Sequence, residues 1–592
     1  MPRIRLLLAT AAAIAAASAP VATAQEKQPT ARGTGGAAAS VDPLATQAAI
    51  DVLRRGGNAV DAAVAAASVL GVVEPYSCGI GGGGFMLIRN GRTGKVTTID
   101  SREKAPADMQ PNSFFINGKP PTDAQFPINR YSGLSVGVPG TPAAWSYALR
   151  HYGTYRLRDA LRYGERVART GFTVDQTFFN QTQPNVPYFD DVPSTAAIYL
   201  DPDDTPRDVG STITNPDLAR TYARIGRLGA RRGFYTGPVG AAIVKAADQP
   251  PLAPNADHSW RPGLMTAADL GHYRVKVRKP THVKYRGYDV FGMGPPSSGG
   301  STVGEALNIL TSLSRSGPLG PSRARILHRY LEASRFAYAD RNAYLADPAF
   351  FKVPLAGLLS ASFADERAAN ISDTAAKSPV LPGNPYDDQP QGAGAATVTH
   401  PGESTTHLSV ADRFGNIVAY TFTIEQTGGD GIVVPGYGFL LNNELTDFDT
   451  SSTAAPNRAE PNKRPRSSIS PTLLERGGRP FLTVGSPGGA SIITTVLQIL
   501  VDRLDLHMTL PDAVAAPRAS QRNSTTTEAE SAFQQSPDGQ LLVAQYGQRY
   551  RLPAGDEIGA ATGIELRSRH RFVAVAEPTR RGGGSAMVVT PG

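Results

Sequence analysis

The chain has 592 residues, 41% of them hydrophobic, and 59 Lys and Arg against 51 Asp and Glu give a net charge of +8. That is the composition of a globular protein with length for several domains or one large sandwich. The basic residues are dispersed among the acidic ones without aromatic-interleaved Arg runs, which excludes a nucleic-acid binder and slightly favours small anionic substrates.

Residues 1–24 combine Arg3 and Arg5, an apolar run over 4–17 and Ala22-Thr23-Ala24, the pattern of a signal peptide removed before Gln25. The mature protein is expected to be exported, secreted or periplasmic. No later stretch approaches ~20 apolar residues, so no membrane span is expected in it. Residues 25–40 are polar and rich in Gly and Ala and read as a mobile lead-in. Asp42-Pro43 is an N-cap with Pro at the first helical position, predicting a helix over 44–55 that stops at Gly56-Gly57-Asn58; a second helix is predicted over 60–70. Cys78 is the single cysteine. It has no intramolecular disulfide partner and reads as a buried structural thiol. The glycines at 79–84 feed a strand over 85–88, with 96–100 pairing across Asn90-Gly91. No Gly-Lys-Ser/Thr follows, which argues against a phosphate loop. Residues 140–350 read as mostly helical, with a break at 294–300, whereas 375–404 are polar, exposed and poor in apolar periodicity. Beyond 405 the pattern predicts strands over 432–441, 470–474, 480–484 and 572–575 and helices over 492–506 and 510–515. Strands clustered against helices give an α+β or αββα layering. The nine His are scattered and no Cys pair exists, so metal-ligand spacing is missing and no cofactor is expected.

The most informative stretch is Glu403-Ser404-Thr405-Thr406-His407-Leu408-Ser409-Val410, followed by a turn at Arg413-Phe414-Gly415-Asn416 and an apolar run over 417–423. A threonine hydroxyl needs a neighbouring base to be a nucleophile, and cutting Ser404-Thr405 would free one in its own α-amine. A plain β-hairpin with surface hydroxyls is the alternative for this stretch alone. If the turn is a three-residue loop with Gly415 left-handed, Asp412 lies opposite Asn416 and Thr405 opposite Thr423. Two facing hydroxyls then share one strand end.

Further motifs follow in order: Gly57-Asn58-Ala59-Val60-Asp61-Ala62, the run from Gly79 to Met86, and Asp100-Ser101-Arg102-Glu103-Lys104-Ala105-Pro106. After Thr405-Thr406-His407 come Glu425-Gln426, the run from Leu441 to Phe448, Asn462-Lys463-Arg464-Pro465 with Ser467-Ser468, and Gly485-Ser486-Pro487-Gly488-Gly489. Together, over about residues 44–590, these motifs resemble the γ-glutamyltransferases of the N-terminal-nucleophile hydrolase superfamily. The resemblance implies a four-layer αββα sandwich and autocleavage between Ser404 and Thr405 into a large subunit, 25–404, and a small catalytic subunit, 405–592, held as a heterodimer. It implies Thr405 as nucleophile, Thr423 as its hydroxyl partner, and the N–H groups of Gly488 and Gly489 as the oxyanion hole. Arg102 with Ser467 and Ser468 would take the donor's α-carboxylate, and Glu425, Glu444 and Asp447 its α-ammonium. A bidentate guanidinium for the carboxylate and fixed anions for the ammonium are what an amino-acid head group requires. The implied reaction transfers the γ-glutamyl group of glutathione or a related donor to water or to an amino acid or dipeptide, with neither metal nor organic cofactor.

The sequence departs from the usual pattern at Glu425, at Gly428-Gly429-Asp430-Gly431 and at Arg466, where an apolar residue is usual. The segment from Phe448 to Pro465 is short, as in the branch without a lid loop. Two other readings are a cephalosporin or glutaryl acylase, which needs no ammonium clamp, and an exported amino-acid-binding protein without catalysis.

Overall fold

The computed structural model describes residues 27–315, 317–386, 404–568 and 570–592; the signal peptide expected over 1–24 lies outside them. The principal elements in chain order are β1 (Thr30–Ser40), α1 (Pro43–Arg54), α2 (Ala59–Val73), β2 (Gly83–Arg89), β3 (Val96–Asp100), α3 (Leu157–Thr170), α4 (Pro216–Ala230), β4 (Lys276–Arg278), β5 (Thr281–Tyr285), β6 (Tyr288–Gly292), α5 (Gly299–Leu313) and α6 (Arg323–Tyr344). They continue with β7 (Thr406–Asp412), β8 (Ile417–Thr423), β9 (Thr472–Arg476), β10 (Arg479–Gly485), α7 (Ile492–Leu504), β11 (Thr562–Ser568), β12 (Arg571–Ala576) and β13 (Ser585–Pro591).

The strands run in the order β4-β3-β2-β8-β7-β1-β12-β11-β10-β9-β6-β5, with β13 also on β1. β1 is the junction. Its first residues pair with β12 and its last with β7 and β13, so the order folds over there into two facing sheets. Period-two alternation then sorts the side chains. Ala37, Leu87, Ala411, Ala419, Ile564, Phe572 and Ala574 fill the space between the sheets. Leu408, Val410, Val418, Tyr420 and Phe422 instead face α1, α2, α3 and α4, while Leu474, Val484, Val573 and Val575 face α5, α6 and α7. Helices, sheet, sheet and helices make the αββα sandwich.

The predicted N-caps are present. Asp42 accepts from Leu44 and Ala45, and Asn58 forms a capping box with Asp61. α2 is buried along its whole length, as an all-apolar helix must be. Cys78 is buried and free.

Four expectations are corrected. Residues 30–40 are a strand at the centre of the fold, not a lead-in: their small side chains suit a strand with three partners, and a Cβ on Gly33 would lie 2.1 Å from the Thr590 carbonyl. Residues 276–292, inside the stretch read as helical, contribute three strands. Residues 432–434 and 438–441 are buried, but the run is a turn, exposed at Pro435 and Gly436 and closed by Tyr437 and Gly438 N–H on the Val434 carbonyl, with a single Val433–Leu440 bridge. The described part of the polar segment is anchored: Ala375 donates to Tyr546, Val380 to Asn523 and Gly383 to Asp340. Among the described residues no helix is long and apolar enough to cross a membrane.

Candidate active site

The β7–β8 hairpin turns through Gly415 at φ 84°, with Asp412 N–H donating to the Asn416 carbonyl at 3.0 Å. Its register pairs Thr406 with Phe422 and so sets Thr405 opposite Thr423. The Thr405 hydroxyl donates to Thr423 Oγ1 over 3.1 Å, and the backbone N–H of Glu425 donates to the same oxygen at 2.8 Å, fixing its rotamer. Thr405 is buried and holds φ at 117°, a strained conformation for a β-branched residue. Its neighbourhood pins it. Ser404 Oγ donates to the Tyr76 carbonyl at 2.8 Å, and Arg581 donates to the Thr405 carbonyl and to Ser77 Oγ, both at 2.8 Å.

His407 lies on the same face two residues on. Its ring contacts Thr421 Oγ1 at 2.6 Å and Ser409 Oγ at 3.2 Å, and burial pushes it down to about 3. A neutral, occupied imidazole is no base for Thr405.

Arg102 follows β3 in a turn held by Asp100, whose Oδ1 accepts the Arg102 N–H at 2.9 Å. Burial opposes ionisation of Asp100, but Arg464 and Arg278 at 2.5 and 2.6 Å overcome it and keep the carboxyl below its ordinary value. The Arg102 guanidinium is buried, pairs with Glu444 and Asp447, and donates to the Pro465 and Arg466 carbonyls at 3.2 and 3.0 Å. It therefore spans the elements on both sides of the predicted cut.

Glu425 takes a hydrogen bond from Asn443 at 2.7 Å, and burial, then Asp447 and Glu444, push its carboxyl well above the ordinary range. Burial likewise pushes Glu444 up to about 7 against the pull of Arg102. Glu103, beside Glu444, is raised further by burial and by that neighbour. Neither Glu103 oxygen has a conventional partner, which a protonated Glu103 sharing its proton with Glu444 accounts for.

Ser467 is held by its carbonyl, which accepts from Ser298 N–H and Oγ at 2.7 Å each. Ser468 Oγ accepts from Arg341 at 2.7 Å. Gly488 and Gly489 sit at φ 129° and 53°, and a Cβ on Gly488 would lie 2.8 Å from Ser491 Oγ. Among the described residues neither glycine N–H has an acceptor, leaving both for a ligand oxygen.

Thr405, Thr423, Arg102, Glu425, Glu444, Asp447, Ser467, Ser468 and Gly489 line one cavity of about 40 Å³; Gly488 lines the adjoining one. Sequence reasoning missed Arg341 as a wall of this cavity and noted Arg466 only as a departure. It also missed Glu103 and Arg581, whose neighbours come from distant segments. The feature that marked Glu103 was its place in the Ser101-to-Pro106 motif.

The gamma-glutamyltranspeptidase family profile matches residues 45–587. The glutathione hydrolase proenzyme of Bacillus subtilis (strain 168) is 39% identical over 497 residues, 82% of this chain and 80% of that one. The acylase ACY 1 proenzyme of Pseudomonas sp. (strain V22) is 35% identical over 534 residues, 89% of each chain. A cephalosporin acylase from Bacillus halodurans superposes with a TM-score of 0.79 at 26% identity, covering 97% of this chain and 99% of that one. With the profile spanning nearly its whole length and relatives of this identity, the chain belongs to the gamma-glutamyltranspeptidase family and is an enzyme of that type.

Proposed function

We propose that the chain is an exported precursor that cuts itself between Ser404 and Thr405 and then acts as a γ-glutamyltransferase and glutathione hydrolase. The observation that carries this is the Thr405–Thr423 hydroxyl pair opening onto a cavity lined by the guanidinium groups of Arg102, Arg341 and Arg466 and the carboxyls of Glu425, Glu444 and Asp447, with Arg102 paired to two of those carboxyls. In processing, Thr405 Oγ attacks the Ser404 carbonyl, the peptide C–N bond gives way to an ester, and water hydrolyses it. Residues 25–404 then end in a carboxylate and residues 405–592 begin with an amine. The strained φ of Thr405 favours leaving the precursor geometry.

The cavity carboxyls are engaged by Arg102 and Asn443, the Thr405 hydroxyl bonds Thr423 instead of any of them, and His407 is turned to Thr421 and Ser409. The freed amine of Thr405 therefore takes the hydroxyl proton as Oγ attacks the γ-amide carbonyl of the donor. The oxyanion meets the N–H groups of Gly488 and Gly489. Collapse passes the proton to the leaving amine and leaves a γ-glutamyl ester on Thr405, which water or an amino-acid or dipeptide amine then opens. The donor's α-carboxylate belongs with Arg102, Ser467 and Ser468, and its ammonium with Glu425, Glu444 and Asp447. Binding thus replaces the internal Arg102 ion pairs by substrate charges of the same signs.

The acylase names among the relatives support a second reading, in which the acyl group is glutaryl. The three carboxyls argue against it, since a glutaryl group brings no cation to them. Purified protein offered γ-glutamyl and glutaryl anilides decides: cleavage of the γ-glutamyl anilide with a strong preference is expected, and preference for the glutaryl anilide would establish the acylase. A binding protein without catalysis would cleave neither and would remain one uncut chain.

A further inference from the structure

Arg341, on α6, lines the cavity of Thr405 and is only 4% exposed, yet among the described residues it makes no ion pair. Its Nε donates to Ser298 Oγ at 2.8 Å, its Nη1 to Asn342 Oδ1 at 2.8 Å and its Nη2 to Ser468 Oγ at 2.7 Å. A guanidinium carries five N–H donors, so one on each Nη keeps no acceptor among the described residues. The nearby Asp447 is taken by Arg102, and burial pushes ionisation of Arg341 below its ordinary value. A buried cation in this condition is costly until an anion joins it. The cavity it lines is where that anion can enter.

The bond to Ser468 has a fixed direction. A guanidinium has no acceptor, so Ser468 Oγ receives, and the one proton of that hydroxyl must point elsewhere. Ser468 lines the same cavity, and among the described residues its hydroxyl has no other acceptor. Ser298 is oriented in the same way: it receives from Arg341 and passes its own proton to the Ser467 carbonyl at 2.7 Å. Arg341 therefore sets a proton direction at Ser468 and, through Ser298, the backbone at Ser467. One turn back on α6, the Tyr338 ring lies 5.4 Å from the Arg341 guanidinium, and its hydroxyl donates to the Ala490 carbonyl beside Gly489. A single helix from the segment ahead of the predicted cut thus braces the serine pair and the glycine segment together.

We propose that Arg341 is a positioning residue for the donor's α-carboxylate: it turns the Ser468 hydroxyl into a donor aimed at that carboxylate and supplies the uncompensated positive charge behind it. Arg102 is already matched by Glu444 and Asp447, so the demand for a free anion comes from Arg341. The chemical class selected is a γ-acyl donor with a free carboxylate on its α-carbon. This rests on Ser467 and Ser468 taking that carboxylate.

The test compares γ-glutamyl-p-nitroanilide with its α-carboxamide as donors for the wild type, Arg341→Gln and Arg341→Lys. Wild type should prefer the free acid. Arg341→Gln should lower kcat/KM for the acid about tenfold, through KM with kcat held within about twofold, while the carboxamide changes less than about twofold. Arg341→Lys keeps the charge but not the planar fork. It should fall between wild type and Arg341→Gln on the acid, and it carries the test if Arg341→Gln does not fold. Equal losses on acid and carboxamide in either variant, or an acid preference as strong as that of the wild type, would overturn the proposal. A wild type that accepts acid and carboxamide alike would instead overturn the assignment of the α-carboxylate to the serine pair, and the role of Arg341 with it.

Discussion

Arg102 shows how far single residues were readable. On its own, Arg102-Glu103 reads as a surface ion pair, yet both are buried and Arg102 closes on Glu444 and Asp447, more than 300 residues away. Local motif order pointed to Arg102, Glu444 and Asp447, whereas Glu103 and Arg341 acquire their meaning from contacts that no sequence spacing encodes. Arg102→Ala leaves the substrate carboxylate, the buried Glu444 carboxyl and the partly buried Asp447 carboxyl without their cation, so kcat/KM for a γ-glutamyl anilide should fall by the equivalent of about 2–5 kcal/mol. Self-processing should persist in this variant, as a two-band denaturing gel would report. Glu444 makes a pH prediction. Its ionised form is the one that holds an ammonium group, and burial pushes it up to about 7, so donor KM should rise as pH falls through that value. The ionised fraction drops about tenfold per pH unit below it, and Glu444→Gln should raise KM and flatten this limb of the profile.

At the scale of elements, turn chemistry and apolar periodicity carried well. The Gly415 turn and its register put Thr405 opposite Thr423 as expected. The capped helices α1 and α2 begin within a residue of their predicted starts. β1 was hidden because its Gly and Ala content reflects close approach of three neighbours, a tertiary constraint that overrides strand propensity. The 432–441 run has strand composition, but Gly436 and Gly438 at positive φ turn it back on itself. Between the sheets His407 fills the space left by Gly485, where a Cβ would lie 2.3 Å from its ring. Its folded-state value of about 3 lies below the ordinary 6.5. Its contribution to stability is therefore present above 6.5 and is lost as pH falls toward 3. Between pH 6 and 5 the loss should be about 1.4 kcal/mol per unit, and denaturant unfolding of His407→Gln should show a shallower slope there.

For the whole molecule, the layered sandwich, the order of motifs and, through the family resemblance, a site shared by Arg102 with residues beyond 404 were legible from sequence, while the pairing of Arg102 with Glu444 and Asp447 required the fold. The short 448–465 segment belongs to this scale, because it decides what reaches the ester. Without a lid contributed by it, water and bulky donors both have access. Glutamate release should therefore compete strongly with γ-glutamyl-glycylglycine formation at neutral pH, and γ-linked chains longer than glutathione should serve as donors. Transfer that dominates at low acceptor concentration, with rejection of such chains, would mean that another element covers the site. The central claim is that Thr405 is both the cleavage point and the acylated residue. Intact-mass and N-terminal analysis of enzyme quenched during turnover of a γ-glutamyl donor tests it directly. The account predicts a small subunit beginning Thr-Thr-His-Leu and carrying a γ-glutamyl group on its first residue, with Thr405→Ala remaining a single unmodified chain; a start at any other residue, or an acyl group on any other side chain, would contradict it.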